Sequence, residues 1–354
     1  MSSDGSSSAG ELQEWAQSLP APPAPYTDWI IYCEAQPKDT FCLENVPSNY
    51  ESIPYKGTNI AFAAIFGIST LAFLVTYLAT RRRGTFFTVV MILGCITEVI
   101  GYAARVLSAD NPWQELGFLM QIVCLTIAPA FLAAGIYSCL AKLVLIYGEG
   151  NSRLKAAWYT RIFIPCDFIS LVLQAVGGAF ASMAEDKETL DLGTNIMIAG
   201  LVWQVFTLVM FVVCCVDFAL RVQRRKKQLG EEAALDKSRA ALTIRSSKMF
   251  KGFLWALGIS TLAILWRSSY RVAELSEGFE GPLMAEQDLF IGFESVMIAV
   301  SVLVLNVFHP SVCLGEAMDN GFGLGSQIGE GGNKSDVVLS SGDSSEMGVL
   351  RNRF

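Results

Sequence analysis

Charge is scarce in this chain of 354 residues. Asp, Glu, Lys and Arg make up 17% of it, against 52% hydrophobic residues and a mean hydropathy of +0.43. Histidine is nearly absent, with His309 alone, and the nine cysteines include no C-x-x-C pair. Those two shortages argue against a zinc site and against a histidine-box iron enzyme. No Gly-Lys dipeptide occurs, so the chain has no phosphate-binding loop of its own, and no G-x-S-x-G marks a nucleophile elbow. Neither a cofactor nor a catalytic constellation is expected. The net charge of −7 arises largely in tails and loops and gives no reason to expect a nucleic-acid partner.

The apolar residues fall in seven blocks, read as helices over about 58–80, 86–107, 117–146, 158–184, 194–220, 250–274 and 289–309. Each reaches the roughly 20 residues that a bilayer-spanning helix requires. The sixth is the weakest, because its apolar part is mainly Phe253 to Trp266 and its end is charged. The connecting segments after the odd-numbered blocks one, three and five carry fourteen Lys and Arg residues, and those after two, four and six carry one, Lys187. Basic residues accumulate on the cytosolic side, so the expected plan is all-α and polytopic, N-terminus outside and C-terminus cytosolic. It divides into an extracytoplasmic segment 1–57, a seven-helix domain 58–309 and a tail 310–354. The first segment is Pro-rich, lacks the pattern of a cleaved signal peptide and is expected to be loosely structured. Its Cys33 and Cys42 either close a small disulfide loop or remain free thiols. The tail is rich in Gly, Ser and acidic residues, reads as disordered, and holds an SSGDSSE stretch open to phosphorylation.

Polar residues inside such runs cost roughly 2.5–3.5 kcal/mol each for a charge and persist where they face a bundle interior or a partner. Glu98 and Arg105 in the second run are seven residues apart, on one face but about 10 Å apart along the axis. Each therefore needs a partner from another helix. Gln121 and Pro129 follow in the third run, and the proline is expected to kink it and free a backbone carbonyl. Asp167 and Gln174 lie in the fourth, Gln204 in the fifth. Gly177, Gly178, Gly193 and Gly200 read as close-packing positions. Arg267, Arg271 and Glu274 form one stripe at the end of the sixth, and Glu294 enters the seventh. Arg271 and Glu274 read equally as an ion pair fixing helix register. Glu98 and Asp167, at mid-depth, read as functional.

The seven-span plan also matches G-protein-coupled receptors. The third run, however, ends LAKLVLIYGEG without an Asp-Arg-Tyr motif, and the seventh ends NVFHP without Asn-Pro-x-x-Tyr. A rhodopsin-like receptor is disfavoured, while an unrelated seven-helix sensor stays open.

Several motifs in order resemble the fungal lipid-translocating exporters, the RTA-like proteins associated with aminocholesterol resistance. They are Glu98-x-x-Gly101-Tyr102-x-x-Arg105, Gln121 with Ala128-Pro129-Ala130, and Ala134-Gly135-x-Tyr137. Asp167 with Gln174-Ala175-x-Gly177-Gly178, Gly200-Leu201-x-x-Gln204, Arg267-x-x-Tyr270-Arg271-x-x-Glu274 and His309-Pro310 complete the series. The resemblance covers about residues 50–312. It implies a plasma-membrane protein that moves sphingoid long-chain bases outward and protects against toxic amphiphiles. Tyr77 stands where relatives often carry histidine, and Glu294 where many carry aspartate.

The expectation is thus a lipid translocase without enzymatic activity. Its candidate substrate-binding residues are Glu98, Arg105, Gln121, Asp167, Gln174, Gln204, Arg271, Glu274 and Glu294. Its partners would be membrane lipids, with regulatory contacts at the basic loop 221–251 and the tail. The alternative is a seven-helix lipid sensor signalling through that loop.

Overall fold

In a computed structural model, residues 26–48, 50, 53–184, 186–230, 239–277 and 286–318 are described. Expectations placed on residues 1–25 and 319–354, the phosphorylatable stretch included, lie outside them. Seven helices are long and apolar enough to cross a membrane: Lys56–Ala79, Thr85–Asp110, Glu115–Tyr147, Ala156–Ser182, Lys187–Leu229, Lys248–Ser276 and Gln287–Cys313. No strand occurs among the described residues. Large apolar side chains such as Ile68, Phe168, Trp255 and Val307 stay more than half exposed, which suits a hydrocarbon surround.

The fifth span is the largest departure from the expected boundaries. It runs 43 residues, about 65 Å, well beyond the hydrophobic block 194–220. Asp186 caps its start by accepting from the Thr189 N–H at 2.9 Å, which leaves the exposed Asp186 carboxyl below its usual pKa. At the other end the good helix formers of VQRRKKQL carry the helix past the apolar block to Gly230, at φ +78°. Hydrophobicity marks where a span is buried, not where the helix ends. The seventh span also departs from the expectation. After Gln287–Leu289 it widens into a π-helical stretch, Phe290–Ser295, returns to α over Val296–Val307, and breaks before His309-Pro310.

The spans pack as a ring in chain order, the seventh closing on the first, and the third leans inward to touch the sixth. The expected glycine packing holds at Gly177, Gly193 and Gly200. A Cβ on Gly177 would sit 2.6 Å from the Met197 nitrogen, and one on Gly193 2.5 Å from the Ala181 nitrogen, so the backbones of spans four and five are in contact there. Gly178 is different: its added Cβ would meet only Met197 Sδ, at 3.8 Å.

One end of the bundle carries the acidic connections, the other the basic ones. On the acidic end, the segment expected to be loose is folded over part of its length. Helices Tyr26–Ala35 and Thr40–Asn45 are joined by a Cys33–Cys42 disulfide. Trp29, Tyr32 and Val46 pack with the disulfide against Trp113 of the connection between spans two and three. Asn111 Nδ2 donates to the Glu34 carbonyl at 2.9 Å, a further tie. The Tyr32 hydroxyl donates to Asp39 at 2.8 Å, and burial together with that carboxylate raises the phenol pKa.

Candidate functional site

The polar residues of the spans gather in two places. The first lies between spans two, three, six and seven, toward the acidic end. Arg267 Nη2 bonds Glu294 Oε1 at 3.0 Å. Arg271 Nη1 lies 2.6 Å from Glu274 Oε2 and 3.4 Å from Glu294 Oε2, so one arginine bridges two carboxylates. The π-helical stretch puts Phe290 and Glu294 into this cluster together. Among the described residues Arg105 makes no ion pair with a carboxylate. Its guanidinium donates to Gln121 Oε1 at 3.3 Å and to Gln287 Oε1 at 2.7 Å, and lies 3.9 Å from the centre of the Phe290 ring. Two amide oxygens accept from Nη1 and Nη2 and an aromatic face covers it without neutralising it, while Nε stays buried without a hydrogen-bond partner.

Pro129 explains a further contact. Lacking an N–H, it leaves the carbonyl of Leu125, four residues earlier, without its helical donor. Arg267 Nη2 from the sixth span donates to that carbonyl. The expected freed carbonyl is thus a docking point between spans three and six.

Glu98 is the member of this cluster left over. It is 1% exposed, its Oε1 has no hydrogen-bond partner, and no ion pair reaches it among the described residues. Arg267 acts on it through space, but that arginine is already held by Glu294 and Leu125.

The second group lies between spans three, four and five. The Tyr137 hydroxyl donates to Asp167 Oδ2 at 2.8 Å, and Oδ1 is buried without a partner. Gln174 Nε2 reaches Gln204 Oε1 at 3.3 Å, which leaves Gln174 Oε1 unpartnered. The nine candidate residues therefore do not form one chamber. Glu98, Arg105, Gln121, Arg271, Glu274 and Glu294 belong to the first group, Asp167, Gln174 and Gln204 to the second.

Arg267, Gln287 and Tyr137 are the partners that the candidate set omitted. Arg267 was visible on the Arg271 stripe, and Tyr137 among the family motifs. Gln287 precedes the apolar block, so hydrophobicity gave no signal for it.

A large cleft lies elsewhere than the charged cluster. It has a volume of about 1620 Å³ and opens between spans three and four, with residues 43–48 at its acidic-end mouth. Gln174 lines it; Glu98 and Asp167 do not. Tyr50 stands between the cleft and the first cluster. It lines the cleft, stacks edge-on against Phe118 at 5.2 Å, and turns a buried hydroxyl toward Ser108, Arg105 and Gln121. Burial raises its pKa, and Ser108 and Arg105 partly offset that.

Comparison with known proteins places this sequence in a family. The family model described as RTA1 like protein matches residues 91–317. The sphingoid long-chain base transporter RSB1 of Saccharomyces cerevisiae is 32% identical over 281 residues, 73% of this chain and 72% of that protein. Protoporphyrin uptake protein 1 of the same yeast is 26% identical over 291 residues, 73% of this chain and 90% of that protein. Protein RTM1 is 27% identical over 249 residues, covering 69% and 75%. No solved structure matches.

Proposed function

We propose that this chain, which belongs to the RTA1-like family, moves single-chain amphiphiles with amine heads, sphingoid long-chain bases among them, toward the outer leaflet. It is a multi-pass membrane protein related to a lipid transporter. The proposed function includes a plasma-membrane location and a role in resistance to toxic amphiphiles. The observation that carries it is the pair of mid-span carboxyls, Glu98 and Asp167, to which no cation is bound among the described residues while Glu274 and Glu294 both have arginines. A buried carboxyl without a cation favours a protonated amine from a ligand or a proton of its own. The acidic end is assigned to the outside on the fourteen-to-one asymmetry of basic residues. The chain holds no P-loop of its own, so movement is taken as downhill, ion-coupled or driven through a partner.

The sensor reading has one observation in its favour. The fifth span extends as a charged rod to Leu229, and the amphipathic helix Arg239–Ser246 follows the next connection. A regulatory partner would engage this basic region or the tail.

Release of labelled sphingosine from cells separates the two readings. Cells carrying the chain at their surface should release preloaded label into medium with an acceptor faster than cells lacking it. Equal release with confirmed surface protein would reject transport and leave the sensor.

A further inference from the structure

The cleft between spans three and four has a size, a depth and a polarity that the charged cluster does not explain. Along span three its lining runs from Phe118 to Phe131, about 20 Å of helix, slightly more than the roughly 15 Å of hydrocarbon in one leaflet. A cleft of that length, opening at the acidic end, is deep enough to cover one leaflet. Span four supplies its small-residue side, with Ala175, Gly178, Ala179 and Ser182. Gly178 makes no close helix contact there, so its missing side chain opens space. The polarity is one-sided. Glu44 is the single charged lining residue, at the mouth, and no basic residue lines the cleft among the described residues. Deeper in, Gln174 is 4% exposed and keeps an acceptor oxygen without a donor.

We propose that this cleft is a lateral binding site for one alkyl chain of an amphiphile whose head donates hydrogen bonds and carries no negative charge. The chain lies between Ile122, Ile127, Phe131 and Phe168, in contact with the surrounding lipid. The head sits between Glu44 and Gln174, next to Tyr50. The Tyr50 ring separates this site from Arg105 and Gln121, so the cleft is where an amphiphile waits before reaching the inner cluster. The inference rests on the amphiphile-transport reading for the identity of the ligand, but the site itself stands or falls separately.

The test is photolabelling of the full-length chain in phosphatidylcholine liposomes with an octadecylamine carrying a diazirine in its tail. Adducts are expected on peptides covering 118–131 and 168–182. Unlabelled octadecylamine should compete, and octadecyl sulfate should compete far less. Gly178→Phe should reduce labelling about tenfold, the effect of excluding two methylenes from apolar contact, with an unchanged melting temperature. Ala175→Phe, at an exposed position of the same wall, should do likewise and serves if Gly178→Phe fails to fold. Gly177→Phe, one residue away, should instead collapse the span four–five contact and lower the melting temperature. Adducts confined to other spans would overturn the site, as would equal competition by the sulfate or full labelling of both filled variants. Labelling in the cleft without transbilayer movement would keep the site and reject the transport reading.

Discussion

Glu98→Gln should reach the membrane at wild-type abundance and fail to confer tolerance to sphingoid bases. The side chain is fully enclosed, makes no hydrogen bond through Oε1, and ends no ion pair among the described residues. Replacing it with an isosteric amide therefore breaks no observed contact. It removes a charge whose burial is unfavourable, so the fold should be unharmed or slightly firmer. On the proposed amine binding, what is lost is the charge-assisted hydrogen bond to a ligand ammonium. Such bonds contribute about 1.5–3 kcal/mol, which translates to a loss of roughly 10- to 150-fold in affinity for an amine head. An uncharged amphiphile of the same chain length should be affected much less. Surface abundance and sphingosine tolerance are to be measured on the same cells. Wild-type values of both would remove Glu98 from the binding site, and a fall in abundance would mean that the residue is structural after all.

Arg267→Ala should have the opposite profile. Its guanidinium, 3% exposed, holds the Glu294 carboxylate and the Leu125 carbonyl that Pro129 leaves free. Truncation strands the Leu125 carbonyl on span three and leaves Glu294, on span seven, with the longer Arg271 contact alone, at 3.4 Å. Removing one partner of a buried pair costs about 3–5 kcal/mol, a large part of the stability of most domains. Little folded protein should be delivered, and what is purified should melt well below wild type. Glu294→Gln in the same chain should recover part of that loss, because the under-compensated carboxylate charge is then gone. Arg271 would still hold Glu274 at 2.6 Å in the double variant. An Arg267→Ala protein that melts like wild type would show that the Arg267–Glu294 pair does not hold the bundle together.

These two residues mark how far the sequence could be read. Seven spans follow from seven apolar blocks, and the Arg271–Glu274 contact follows from a three-residue separation on one helix. Pro129 predicted a free carbonyl, because the missing N–H is a local fact. That Arg267 fills it depends on how spans three and six approach each other, which no local pattern encodes. The same limit applies to the separation of the candidates into two groups. Glu98 and Asp167 look alike as mid-span acids, yet one faces the arginines and the other faces Tyr137. Gln287 was missed because it precedes the apolar block and enters the cluster through the π-helical turns after it. The cleft had no sequence signal of its own. It is made from the outward faces of two helices and from Tyr50, on a segment expected to be loose.

The proposed function requires the chain itself to carry an amine-headed lipid across the bilayer. The most direct measurement is transbilayer movement of a fluorescent sphingosine in liposomes containing only purified protein and phosphatidylcholine, followed by quenching of the label exposed outside. The account predicts movement faster than in protein-free liposomes, lost in Glu98→Gln and retained for neither an anionic nor a two-chain lipid of the same label. Binding of the label at protein-free flip rates, with wild type and Glu98→Gln indistinguishable, would contradict it.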